Sequence, residues 1–163
     1  MQMNKISTQD YCRNFVRDTD YNLYLLNFFA PRDKRPFVLT IMALHCELRL
    51  IPKKVHDPML MQIRLQWWRD EIDKIKNGDG YAPSPILDEL RGISPLPDMD
   101  QYFNNFTELF AGKDADIDSD LYELFAVIID DKQASEKLSK ILMRHDALQD
   151  KKMFRALRLW LNV

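Results

Sequence analysis

The stretch that decides the fold runs from residue 57 to residue 80: DPMLMQIRLQWWRDEIDKIKNGDG. Asp57 followed by Pro58 reads as an N-cap and first helical residue, the strongest start signal in the chain. Asn77-Gly78-Asp79-Gly80 reads as its end, because glycine takes the left-handed backbone that closes a helix. Between them Leu60, Ile63 and Trp67 share one face. Met61, Leu65, Trp68 and Ile72 share the neighbouring one, and Gln62, Gln66, Arg69 and Asp73 fall on the other side. A helix apolar on two adjacent faces is expected to lie between other helices. Trp67 is therefore expected in the core, where truncation to Ala costs about 3–5 kcal/mol. Arg69, on the polar side, is expected to be dispensable for folding and is a candidate contact for an anion or partner.

The same period extends in both directions. Ser7-Thr8-Gln9-Asp10 resembles a capping box and predicts a short helix through Phe15 and Val16. Asp18-Thr19-Asp20 caps a second helix over Tyr21 to Phe29, ended by Ala30-Pro31. A third starts near Asp33, with Pro36 in its first turn and Phe37, Ile41, Leu44, Leu48 and Ile51 in one stripe; Pro52 should stop it. Beyond the tryptophan helix, a short helix fits Ile86 to Leu90 within a proline-punctuated stretch. Asp98 is expected to cap a helix carrying Tyr102, Phe103, Phe106 and Phe110, ended by Gly112. Asp114 to Asp120 is an acidic turn. A helix with Leu121, Leu124, Phe125 and Ile128 follows, and another begins after Lys132. The expectation is an all-α, irregular helical bundle, a single domain over 1–163, with Leu44, Leu48, Ile63, Trp67, Phe103, Phe106, Phe125 and Ile128 in its core.

Composition removes several functions. With 23 Lys plus Arg against 25 Asp plus Glu, no overall basic field exists to hold nucleic acid. No apolar run nears the roughly 18 residues of a membrane span. Two cysteines, Cys12 and Cys46, make no disulfide framework and point to a reducing compartment.

Individual motifs are weak. Counted from Asp114, an EF-hand would place Gly at Ser119 and Glu at Phe125, so that reading fails. His45, His56 and His145 lack metal-ligand spacing, and His45 on an apolar helix reads as a satisfied structural residue. Gly78, Gly80, Gly92 and Gly112 are too scattered for a phosphate loop. The tryptophan helix has a functional alternative: the wall of an apolar tunnel, with Arg64 or Arg69 at its mouth meeting an anionic head group.

Asp20-Tyr21, Leu25, Phe28-Phe29-Ala30-Pro31, Arg35, Ala43, Glu47-Leu48, Val55, Pro58 and Ile63-Arg64-Leu65-Gln66-Trp67-Trp68-Arg69-Asp70 occur in that order. This set resembles the N-terminal part of the squalene/phytoene synthase family. The string from Arg64 to Asp70 is most like that of its alphaproteobacterial branch and of the mitochondrial relative, a complex I assembly factor. The family resemblance is good from about Asp18 to Leu90 and thin beyond. It implies an isoprenoid-synthase type of helical bundle, shortened here, and head-to-head prenyl transfer with magnesium held by two aspartate-rich motifs. Aligned from Arg35 and Glu47, the first motif falls on Arg49-Leu50-Ile51-Pro52-Lys53, where no carboxylate remains. Two cations there repel Mg²⁺, which takes hard oxygen ligands. The second motif has no counterpart.

The resemblance thus implies a non-catalytic member, without cofactor, acting as a binding or respiratory-complex assembly module. Arg35, Arg49, Lys53, Arg64, Trp68 and Arg69 are its candidate contacts with an isoprenoid or lipid ligand, or with respiratory-complex subunits. The alternative is a prenyl transferase acting on isoprenyl diphosphates with Mg²⁺. A deep apolar cavity beside Arg49 and Lys53 would favour lipid binding; a filled bundle would favour a scaffold. The expected location is a bacterial cytoplasm, at the inner membrane face. The basic, amphipathic segment Lys151 to Leu161 is expected to dock on the bundle, with peripheral membrane contact as its second reading.

Overall fold

The computed structural model describes residues 6–80 and 83–142, and all regular structure among them is helical. The helices are α1 (Thr8–Thr19), α2 (Tyr21–Leu26) continued by a 3₁₀ turn (Asn27–Phe29), α3 (Arg35–Lys54), α4 (Pro58–Lys76), α5 (Pro85–Leu90), α6 (Asp100–Phe110), α7 (Ile117–Ile129) and α8 (Lys132–Leu142). The expected C-terminal segment lies outside the described residues.

Local chemistry sets most boundaries. The Ser7 hydroxyl accepts from Asp10 N at 3.1 Å and opens α1. Asp20 closes α1 and opens α2, its Oδ1 accepting from Leu23 N at 2.9 Å. Asp57 Oδ1 accepts from Met59 N and Leu60 N, at 2.8 and 3.1 Å, and starts α4. Gly78, at φ +84°, follows the end of α4. Several boundaries differ from expectation. The residue at the cap of α6 is Met99 rather than Asp98, whose Oδ1 accepts from Asp100 N at 3.0 Å. Pro52 lies inside α3, whose last turn still closes because Val55 N reaches Ile51 O at 2.9 Å. The acidic turn is shorter than expected: Asp116 caps α7 by accepting from Ser119 N at 3.0 Å, so Asp118 and Asp120 are already helical.

The central helix is α3, not α4. Residues Val38 to Cys46 are buried without interruption, so this helix is enclosed on every side. It packs against α1, α4, α5 and α7; α4 packs chiefly on α6, and α6 on α7. The core joins Leu44, Leu48, Phe103, Phe106, Phe125 and Ile128, as expected.

The tryptophan helix corrects the sequence reading. It buries only Leu65, Trp68, Glu71 and Ile72, while Ile63 is 53% and Trp67 41% exposed. Met59 and Leu60 are exposed with them. Periodicity shows that α4 has two apolar faces but not which of them meets the bundle. The face through Trp68 and Ile72 packs inward, and the face through Ile63 and Trp67 points away. Ile63 and Trp67 are therefore not core residues, and the cavity cost expected for Trp67→Ala does not apply.

Candidate functional site

The six residues selected from the sequence do not converge. Arg35 and Lys53 stand near opposite ends of α3, about 27 Å apart at the rise of an α-helix. Arg64, Trp68 and Arg69 belong to α4.

Arg35 is engaged at the start of α3. Its Nη2 donates to Phe28 O at 2.7 Å and its Nε to Ala30 O at 3.0 Å, with the guanidinium 5.6 Å from the Phe28 ring centroid. It thereby ties the 3₁₀ turn to the central helix. It also lines an open cleft of about 190 Å³ with Arg13, Arg32, Tyr24 and Asn27. Asn27 is buried, and its Oδ1 has no hydrogen-bond partner among the described residues.

Trp68 is buried in the core. It stands edge to face with Trp67, ring centroids 5.1 Å apart. Arg69 is half-buried against α6. Its Nη2 donates to Asn104 Oδ1 at 2.7 Å and Asp100 O at 3.2 Å, and its guanidinium covers the Phe103 ring at 5.4 Å. It clamps α4 to α6, a structural part that its place on the polar face did not announce. Arg64 and Lys53 are exposed.

Arg49 occupies the most informative position. Its Nη1 lies 3.7 Å from Asp20 Oδ2, pairing the C-terminal half of α3 with the cap between α1 and α2. Asp20, Leu23, His45, Arg49, Asp118, Leu121 and Tyr122 surround a cleft of about 10 Å³, room for roughly one water molecule. Behind it the space is filled. His45 Nδ1 lies 3.0 Å from the Tyr102 hydroxyl, and the His45, Tyr102 and Phe106 rings pack together. Burial, above all, holds the Tyr102 phenol well above its usual pKa, with nearby Cys46 adding to the shift. His45 is thus the satisfied structural residue its sequence context suggested.

These residues do not suit a magnesium ion. At the position to which the family resemblance assigns the first aspartate motif stand Arg49 and Lys53, and the nearby Asp20 carboxylate is paired with Arg49. Among the described residues no three or more His, Cys, Asp or Glu side chains are grouped as metal ligands. The contribution of Asp20 to this cleft was not legible in the sequence, where it reads only as a helix cap; the pairing with Arg49 depends on how α2 meets α3.

Comparison with known proteins agrees with the helical architecture. Residues 16–130 match the family model described as Squalene/phytoene synthase. The chain is 29% identical over 83 residues to "NADH dehydrogenase (ubiquinone) complex I, assembly factor 6" of Bos taurus, which is 51% of this chain and 25% of that protein. It is 29% identical over 86 residues to the Drosophila melanogaster homolog, covering 50% of this chain and 26% of the other. For the Homo sapiens protein the identity is 28% over 83 residues, 51% and 25% of the two chains. The match therefore spans about a quarter of the length of these relatives. No solved structure matches significantly. The family match extends over well more than half of the sequence, and the chain belongs to the squalene/phytoene synthase family.

Proposed function

We propose that this chain is a non-catalytic member of the family, acting as a binding module in the assembly of a respiratory complex. The observation that carries the reading is the Arg49–Asp20 pair. Where the family resemblance calls for metal-binding carboxylates, a cation is neutralised by the nearest acid, beside a cleft of about 10 Å³. A drug-sized ligand needs several hundred Å³, so the isoprenyl chain of a diphosphate substrate has no room at this cleft. The names of the matched relatives supply the direction: each is a complex I assembly factor. On this reading the partners are respiratory-complex subunits, and no bound metal or organic cofactor takes part.

Two measurements test the proposal. Purified full-length protein, given farnesyl or geranylgeranyl diphosphate with Mg²⁺, should release no pyrophosphate above a heat-killed control. Deleting the gene in its own cell should lower the amount of assembled NADH dehydrogenase complex on a native gel, and the chain supplied in trans should restore it. Turnover in the first assay, or an unchanged complex in the second, overturns the reading.

A further inference from the structure

Among the described residues the exposed large apolar side chains are scattered singly, as Tyr21, Leu109 and Val127 are, except on one helix, where four lie together. Met59, Leu60, Ile63 and Trp67 follow one another at spacings of one, three and four residues and form a stripe along the first three turns of α4. The stripe lies on the face next to Trp68 and Ile72, which are turned to the bundle. Four large apolar side chains side by side in water mark a surface that meets another apolar phase.

The charges around the stripe select that phase. From Met59 to Arg69 there is no acidic residue, and Arg64 stands exposed beside Ile63. Lys53 and His56 are exposed just before the helix, and Lys54 beside them pairs with Glu47 at 3.2 Å. Two acids border this region: Asp57, whose Oδ1 is occupied by the backbone N–H groups of Met59 and Leu60, and Asp70, whose Oδ1 accepts from Gln66 Nε2 at 2.6 Å. This basic collar belongs to a chain whose net charge is -2. A second copy of the chain fits the stripe poorly. A two-fold contact centred on Ile63 would bring the two Arg64 side chains toward each other.

We propose that this face of α4 docks in the headgroup region of an anionic lipid bilayer. Met59, Leu60, Ile63 and Trp67 enter the boundary with the acyl chains, and Lys53 and Arg64 lie at the level of the phosphates. An amphipathic helix with a cationic margin and a tryptophan at the boundary binds such a surface by apolar burial together with electrostatic attraction. No helix of the described residues is long and apolar enough to cross a membrane, so the attachment is parallel to the surface. The inference does not rest on the assembly role.

Vesicle flotation of the full-length chain tests it, with vesicles of phosphatidylcholine alone and of phosphatidylcholine mixed with phosphatidylglycerol. The chain should float with the anionic vesicles, less so as salt is raised, and brominated lipid should quench its tryptophan emission. The double variant Ile63→Ser/Trp67→Ser should bind about tenfold more weakly or worse. Arg64→Glu should weaken binding while leaving the apolar stripe intact, which keeps the test valid if the double variant folds poorly. Failure of the wild-type chain to float overturns the proposal. So does equal flotation of the variants, which would assign binding to another surface such as the C-terminal segment. Concentration-dependent dimerisation without vesicle binding, lost in the double variant, overturns it in favour of a second copy.

Discussion

Trp67 and Trp68 are neighbours in sequence and touch edge to face, with ring planes 83° apart, yet they belong to different environments. Trp68 is 7% exposed and seals the contact between α4 and the bundle; Trp67 stands on its outer rim. A turn of about 100° per residue carries one indole inward and leaves the other outside.

Their substitutions should separate accordingly. Trp68→Ala should cost about 3–5 kcal/mol, as removal of a large core aromatic does. Trp67→Ala should cost no more than about 1 kcal/mol, because it leaves no enclosed cavity. Thermal and urea melts of the two variants measure the difference. Equal destabilisation would mean that both rings are enclosed in solution.

Arg69 should behave as a structural clamp. Arg69→Ala removes two hydrogen bonds to α6 and the cover over Phe103, and should cost about 1–2 kcal/mol. Arg69→Lys should recover only part of this, since an ammonium lacks the planar fork. Asn104→Ala in the Arg69→Ala background should add little, because the two share one interaction. A set of urea titrations on these variants provides the check.

Tyr102→Phe isolates the buried hydrogen bond beneath the Arg49 cleft. It preserves the ring packing and deletes the hydroxyl 3.0 Å from His45 Nδ1. The buried imidazole then loses that partner, at a cost of about 1–3 kcal/mol. A variant as stable as the parent by calorimetry would show that a bound water replaces the phenol.

The two thiols make the fold sensitive to base. Burial, first of all, pushes Cys12 and Cys46 up to about 12 from an ordinary value near 9.0. A thiol whose pKa is raised by folding contributes stability that is intact below its unfolded value and is lost as pH climbs through its folded value. Urea midpoints should therefore fall between about pH 9 and pH 12, and Cys12→Ala/Cys46→Ala should flatten that fall. At neutral pH neither thiol should react with iodoacetamide until the chain is unfolded.

Most of the fold was legible in the sequence because its signals are local. Asp57-Pro58, Ser7 and Asp20 cap where their chemistry says they should, and the stripe from Phe37 to Ile51 marks the helix that becomes central. Ile63 and Trp67 were misread for a physical reason: a helical repeat reports the angle between two faces but not which one meets its neighbours. The site was less legible. Arg35 and Arg69 stood out as cations on defined faces, yet their partners are backbone carbonyls and an Asn from other segments. The pairing of Arg49 with Asp20 joins residues 29 positions apart, and no spacing rule announces it.

That pair also bears on whether metal chemistry could be recovered. Arg49→Asp would set a new carboxylate against Asp20 and exchange an attraction for a repulsion. The protein would lose stability at once, because Asp118 on the same cleft adds a further like charge, and about 10 Å³ leaves no room for a cation with the waters that Mg²⁺ keeps. Arg49→Asp taken alone therefore makes a poorer fold without making a metal site, and reversal needs several coordinated changes at once. In this sense the Arg49–Asp20 clasp works as a ratchet, holding the chain on the far side of its family's metal chemistry.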